Sequence, residues 1–227
     1  MKSNEVTAIP KLLSMLSLKG STVSIDAMRC QKAIAEKIVE KKADYLLAVK
    51  NNHPNLYKDI DILFSSIDSG TLPVEIREYQ TIDKSHGRLE TRTYSLLDIQ
   101  LLSSGEHWPK LQSMGRVRRV CEIGTKKSKE TRYYISSKNF EVQDFSDAVR
   151  GHWGIENSLH WVMDIVFRDD ECRAREKNAA ANFVTLKHIT LNMLKSLPGK
   201  KSMRVRRKLA GWDDDFLYEA LMGKPAA

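Results

Sequence analysis

Two short stretches decide the fold: Ser21-Thr22-Val23-Ser24-Ile25-Asp26 and Tyr45-Leu46-Leu47-Ala48-Val49-Lys50. The first is short and rich in β-branched residues, the second is mostly apolar, and each is of strand length and ends in a charged residue. Residues 27–41 between them have the apolar spacing of a helix. A strand, a helix and a second apolar strand predict a parallel pair buried in an α/β sheet. Open α/β sheets bind ligands at the carboxyl ends of their strands, so Asp26 and Lys50 are candidate functional residues.

The flanking sequence changes character twice. Residues 7–18 carry a helical stripe, and a helix capped by Asn55 is predicted through Phe64. Polar and apolar residues then alternate around two turns, which predicts antiparallel ribbons over residues 75–81, 89–96, 115–123 and 130–137.

Helical periodicity returns over residues 142–167 and 178–197, and Asp213 to Asp215 can cap a short helix near the C-terminus. We therefore divide the chain into four parts. These are an α/β opening segment (1–70), a β-rich insertion (71–140), a helical segment (141–197), and a basic segment with a C-terminal helix (198–227).

Composition excludes several classes of protein. The apolar runs among the 227 residues are far too short for a membrane span, and no secretory signal is present. The three cysteines lie far apart and form no CxxC pair, which argues against a disulfide framework and a zinc cluster. We expect a cytoplasmic globular protein.

The net charge of +8 is concentrated in one segment. Residues 173–208 contain eleven Lys or Arg residues and one acidic residue, Glu176. Such a segment suits the phosphate backbone of a nucleic acid, although a solubilising basic tail has the same composition.

Two acidic residues are candidates for chemistry. Asp26 ends a buried strand, where a carboxylate either caps the next helix or meets a metal or solvent. Glu156 lies on a predicted helix in a polar stripe with His152, His160 and Asp164, a pattern that a solvated helix face also produces. Two carboxylates could share Mg²⁺ or Mn²⁺ for phosphoryl transfer. The histidines could instead favour a softer metal, contact phosphate or orient Glu156.

Several blocks of the sequence resemble DDE-type insertion-sequence transposases of the H-repeat-associated branch. The matching blocks, in order, are residues 2–10, 24–28, 44–50, 86–92, 132–137, 150–161 and 211–215. The resemblance implies an α/β, ribonuclease H-like fold with a β-rich insertion before the last catalytic helix. It makes residues 1–70 a partial ribonuclease H-like core.

The resemblance also implies chemistry and partners. Asp26 corresponds to the second catalytic Asp and Glu156 to the catalytic Glu, both as ligands of two Mg²⁺ or Mn²⁺ ions that act in DNA strand cleavage and transfer. The implied partners are double-stranded DNA, as transposon ends and target, and a second copy in a homodimer. The DNA-contact residues we predict are Lys50, His86, Arg88, Arg150, His152, Trp153, His160, Arg173, Arg175, Arg204, Arg206 and Arg207.

The sequence departs from the family pattern in two ways. Of the tyrosine–arginine–glutamate–lysine signature only Glu156 is retained, because Val149, His152 and Met163 stand at the other three positions. The family's first catalytic Asp lies upstream of the block that begins here at residue 2. We therefore expect a truncated copy with an incomplete two-ion site and impaired activity. The alternative is a DNA-binding or interaction remnant without catalysis.

Overall fold

The computed structural model describes residues 5–27, 30–50, 52–85, 87–102 and 108–223, without the side chains of residues 5–7, 156 and 157. The chain forms two compact units, residues 1–152 and 153–227. None of the described helices combines the length and hydropathy needed to span a lipid bilayer.

The first unit is a mixed α/β structure. Its elements are α1 (Glu5–Met15), β1 (Thr22–Ile25), α2 (Lys32–Glu40), β2 (Asp44–Val49), α3 (Pro54–Asp68), β3 (Arg77–Ser85), β4 (Arg88–Asp98), a 3₁₀ turn (Ile99–Leu101), β5 (Ser113–Ile123), β6 (Lys126–Ser136) and α4 (Val142–Ile155). The last turn of α4 extends beyond the boundary of this unit.

One six-stranded sheet joins all of these strands, in the order β1-β2-β6-β5-β4-β3. β1 and β2 are parallel, as their apolar sequences predict. The hairpins β3–β4 and β5–β6 are antiparallel, which confirms the predicted ribbons. β6 also pairs with β2 in antiparallel fashion, so the β-rich segment continues the sheet of the opening segment.

Apolar side chains cover both faces of this sheet. On one face, Phe64 of α3 stacks on Tyr133 of β6 with ring centroids 5.8 Å apart. On the other face, Phe145 of α4 packs edge-on against Tyr94 and Tyr134. Gly115 lies directly under the Phe145 ring, where a Cβ atom would come within 2.4 Å of Phe145 Cζ. The absence of a side chain at residue 115 therefore permits the close approach of α4 to β5.

The second unit is helical. It contains two π-helical segments (Glu156–His160 and Val162–Val166), α5 (Ala179–Ser196), α6 (Met203–Leu209) and α7 (Asp214–Met222). Its core includes Val162, Met163, Val166 and Leu191. Asp213 caps α7 as predicted, since its carboxylate accepts a hydrogen bond from the Phe216 amide at 3.0 Å.

Three predicted helices differ in detail from the structure. α2 begins at Lys32, whereas the sequence predicts residue 27. His53 occupies the N-cap position of α3, with Pro54 as its first residue, so the cap predicted at Asn55 is wrong. The helix predicted over residues 142–167 is α-helical only to Ile155 and then widens into π-helix.

The three cysteines are free thiols, as their spacing predicts. Cys30, two residues before α2, is buried in the core of the first unit, and burial raises its pKa to about 12. The Cys30 thiol is therefore neutral at physiological pH.

Candidate active site

Asp26 directly follows β1 and is partly buried. Its Oδ1 accepts a hydrogen bond from the amide of Ala27 at 2.7 Å, which orients the carboxylate. Among the described residues no hydrogen bond reaches Oδ2. Carboxylate oxygens at a strand end suit a hard cation such as Mg²⁺.

The end of α4 lies beside β1. Ser24 Oγ and His152 Nδ1 are 3.1 Å apart and share a part-buried hydrogen bond. Ser24 precedes Asp26 by two residues and His152 precedes Glu156 by four. The contact therefore holds α4 against β1 within the first unit.

Glu156 opens the first π-helical segment, and its side chain lies outside the described residues. Asp26 belongs to the first unit and Glu156 to the second. Among the side chains that the structure describes, no group of three or more His, Cys, Asp or Glu residues is arranged to hold a metal ion. Segments of π-helix occur frequently at functional sites in other proteins.

Two of the predicted DNA-contact residues, Arg88 and Arg150, fall on β4 and on α4. His86 lies outside the described residues. Arg88 Nε is 3.7 Å from a carboxylate oxygen of Glu90. Arg150 of α4 donates to Asp83 at 2.9 Å.

These ion pairs form a network within the first unit. The Glu90 side chain is 1% exposed and also pairs with Arg92 and Arg119. Asp83 accepts from Arg92 as well as from Arg150, which links the two groups of charges. The Arg150 hydrogen bond holds the pKa of Asp83 below its usual range. Arg88 and Arg150 thus have a structural function in the ribbon, and both remain about half exposed.

Most of the remaining predicted contacts are accessible. Lys50, immediately after β2, is exposed. In the second unit Trp153 is partly buried, and several others are exposed, namely His160, Arg173, Arg175 and Arg204.

Two arginines of α6 are engaged in the packing of the second unit. Arg206 is 7% exposed, and its guanidinium donates to the carbonyls of Leu194, Leu197, Gly199 and Lys201. Those carbonyls lie at or beyond the C-terminal end of α5, where helices have unpaired acceptors. Arg207 donates to the Val166 carbonyl. The position of Arg206 favours a structural role over the DNA contact that we predicted for it.

A model of the transposase DDE domain matches residues 1–193 of the chain. The chain belongs to the transposase DDE domain family. The family resemblance of the sequence blocks is thereby confirmed, and the matched region includes Asp26, His152 and Glu156.

Curated relatives from the same family match nearly the whole chain. It is 38% identical over 229 residues to the "H repeat-associated putative transposase YhhI" of Escherichia coli (strain K12), covering 98% of this chain and 60% of that protein. It is 39% identical over 232 residues to the "Putative transposase YncI" of Escherichia coli O157:H7, covering 97% of this chain and 57% of that protein. The chain therefore spans about three fifths of the length of these transposase-family relatives.

The family assignment and the fold draw attention to residues that sequence reasoning missed. Ser24 lies on β1, two residues before Asp26, and its hydroxyl meets the His152 ring. Asn52 and His53 follow β2 at the same sheet edge as Asp26. All three residues lie near the end of a strand, and this position in the sequence is the signal that could have identified them.

Proposed function

We propose that this chain contributes the second catalytic Asp and the catalytic Glu of a transposase that cleaves and joins DNA strands. Membership of the transposase DDE domain family supports the proposal. The observation that carries it is the Asp26 carboxylate directly after β1, with Oδ1 oriented by the Ala27 amide. The Ser24–His152 hydrogen bond holds α4 against that strand. The parallel pair β1–β2 supports assignment of a ribonuclease H-like core.

Asp26 and Glu156 would hold Mg²⁺ or Mn²⁺ in this proposal. Both offer carboxylate oxygens, the donors that these ions prefer. When bound, such divalent ions would activate the attacking oxygen and stabilise the leaving oxygen in phosphoryl transfer. The protein's own contribution is orientation, because the Ala27 amide fixes one oxygen of Asp26.

Ion binding and strand cleavage test this proposal together. Asp26→Asn and Glu156→Gln should abolish Mn²⁺ binding measured by electron paramagnetic resonance. In a nicking assay on a plasmid with the element's own ends, each should lower any cleavage at least about a hundredfold. Glu36→Gln, an exposed carboxylate on α2, is the matched control and should behave as wild type. Mn²⁺ binding that survives Asp26→Asn would contradict the proposal.

A second candidate function is DNA binding without catalysis, and the basic surface of the second unit favours it. Arg173, Arg175 and Arg204 are exposed, as are Lys200 and Lys201. Binding to a fluorescent duplex should weaken steeply as salt is added, because each phosphate contact releases counterions. If this function stands alone, the chain binds DNA but neither binds Mn²⁺ nor nicks the plasmid. Sedimentation of the purified chain with and without the duplex checks the expected homodimer.

A further inference from the structure

The Asn52 side chain bridges the loop that follows Asp26. Its Nδ2 donates to the Ala27 carbonyl at 2.5 Å and to the Cys30 carbonyl at 3.3 Å. Its Oδ1 accepts from the Lys50 amide at 3.3 Å. Carbonyl oxygens only accept hydrogen bonds, so the amide orientation is fixed by its partners. The side chain thus ties the loop after β1 to the end of β2.

His53 makes a second connection to the same loop. Its Nε2 lies 2.6 Å from the Cys30 carbonyl, which requires a hydrogen on Nε2 because a carbonyl oxygen only accepts. The ring edge packs on Trp108 with centroids 5.2 Å apart. His53 stands at the N-cap of α3, yet its side chain makes no capping hydrogen bond to that helix. Instead, the His53 side chain hydrogen-bonds to the Cys30 carbonyl.

Ala27 connects these hydrogen bonds to the Asp26 carboxylate. Its carbonyl accepts from Asn52, and its amide donates to Asp26 Oδ1 at 2.7 Å. The Ala27 carbonyl also accepts from the Cys30 amide at 3.1 Å, which closes a turn. A displacement of Ala27 would therefore move the group that orients Asp26.

We infer that Asn52 and His53 are positioning residues for Asp26, which hold the loop after β1 so that the carboxylate is oriented for a divalent ion. This inference rests on the proposed function. The two residues act through Ala27 and Cys30 and need no contact with the ion. Outer-shell partners of this kind typically change metal affinity about 10- to 100-fold.

The test uses matched variants of the full chain. Asn52→Ala and His53→Leu remove the donors, while His53→Gln keeps an N–H group near the place of Nε2. Asn55→Ala, an exposed amide on α3, is the control. Two quantities are measured: hydrogen exchange of the backbone amides between residues 26 and 31, and Mn²⁺ affinity by electron paramagnetic resonance. Thermal unfolding by circular dichroism identifies any variant that fails to fold.

We expect Asn52→Ala and His53→Leu to raise loop exchange and weaken Mn²⁺ binding, each by about tenfold. His53→Gln and Asn55→Ala should stay close to wild type. If Mn²⁺ affinity depends on Asp26 but is unchanged in Asn52→Ala and His53→Leu, the inference is wrong and the proposed function survives. If the wild-type chain binds no Mn²⁺, the proposed ion site is contradicted, and with it the positioning role. If backbone amide exchange is unchanged in both Asn52→Ala and His53→Leu, the two side chains do not hold the loop and the inference is wrong.

Discussion

Ser24 of β1 and His152 of α4 are 128 residues apart in sequence, yet Ser24 Oγ and His152 Nδ1 lie 3.1 Å from each other. The hydrogen bond connects the strand that ends at Asp26 with the helix that leads to Glu156. This polar link holds α4 against β1 within the first unit.

Removal of the Ser24 hydroxyl should weaken this link. We expect Ser24→Ala to lower the free energy of unfolding by about 1 kcal/mol, because a part-buried imidazole loses a partner. Ser24→Thr keeps the hydroxyl on a side chain that suits a strand, and it should retain most of the stability. Urea unfolding gives the stability, and the ¹⁵N shifts of the His152 ring report the hydrogen bond directly. Equal stability and equal ring shifts in Ser24→Ala and wild type would show that the bond contributes nothing.

The ion pair between Asp68 and Arg116 predicts a dependence of stability on pH. Arg116 is 3% exposed, and it donates to the Asp68 carboxylate at 2.7 and 2.9 Å. Hydrogen bonding to Arg116 holds the pKa of Asp68 below its ordinary value. The carboxylate binds protons less readily in the folded chain than in the unfolded chain. Its stabilisation is therefore complete above about pH 4 and is lost as the pH falls through the lowered folded value.

Asp68→Asn isolates that contribution. The variant should be less stable by about 1–2 kcal/mol at pH 7, a modest figure because the Asp68 side chain is 42% exposed. The difference from wild type should shrink as the pH is lowered below about 4. Urea unfolding at a series of pH values measures both quantities. A difference that stays constant down to pH 2 would exclude the ion pair as its source.

The parallel strands and the two hairpins could be predicted because local periodicity encodes them. The start of α2 could not, because side chains about 25 residues later determine it. Asn52 donates to the carbonyls of Ala27 and Cys30, and His53 donates to that of Cys30. These bonds engage Ala27 and Cys30, and α2 begins only at Lys32.

The candidate site could be predicted only in part. The place of Asp26 directly after β1 is confirmed, while its catalytic role stays a prediction that rests on the family resemblance. The function of Arg206 could not be inferred from a basic run of sequence. Its burial depends on where the carbonyls at the end of α5 lie, which is a property of tertiary structure.

The contact between Gly115 and Phe145 predicts opposite effects for two glycine substitutions. Gly115→Ala would place a Cβ atom 2.4 Å from the Phe145 ring, so we expect a loss of about 2 kcal/mol in stability. Gly151→Ala in α4 meets no atom within 4 Å and should raise stability by about 0.5–1 kcal/mol through helix propensity. Thermal or urea unfolding of the two variants gives the signs. A stable Gly115→Ala variant would mean that α4 can move away from β5 at little cost.

Arg204 and Arg206 both lie on α6, but Arg204 is exposed and Arg206 is buried. Substitutions at the two residues should therefore separate effects on stability from effects on DNA binding. Arg206→Met removes a buried guanidinium that donates to four carbonyls, and we expect the second unit to lose about 3 kcal/mol. Arg206→Lys should recover little of this loss, because an ammonium group cannot reproduce the planar fork of donors. Hydrogen exchange of the α5 amides locates the loss in the second unit.

Arg204→Gln should instead leave stability within about 0.5 kcal/mol of wild type, since the side chain is exposed. If Arg204 contacts a phosphate, the variant should bind a DNA duplex more weakly. It should also reduce the slope of log affinity against log salt concentration by about 1. Fluorescence anisotropy at several salt concentrations measures that slope, with the folded state of each variant verified beforehand. An unchanged slope in Arg204→Gln would remove Arg204 from the proposed DNA surface.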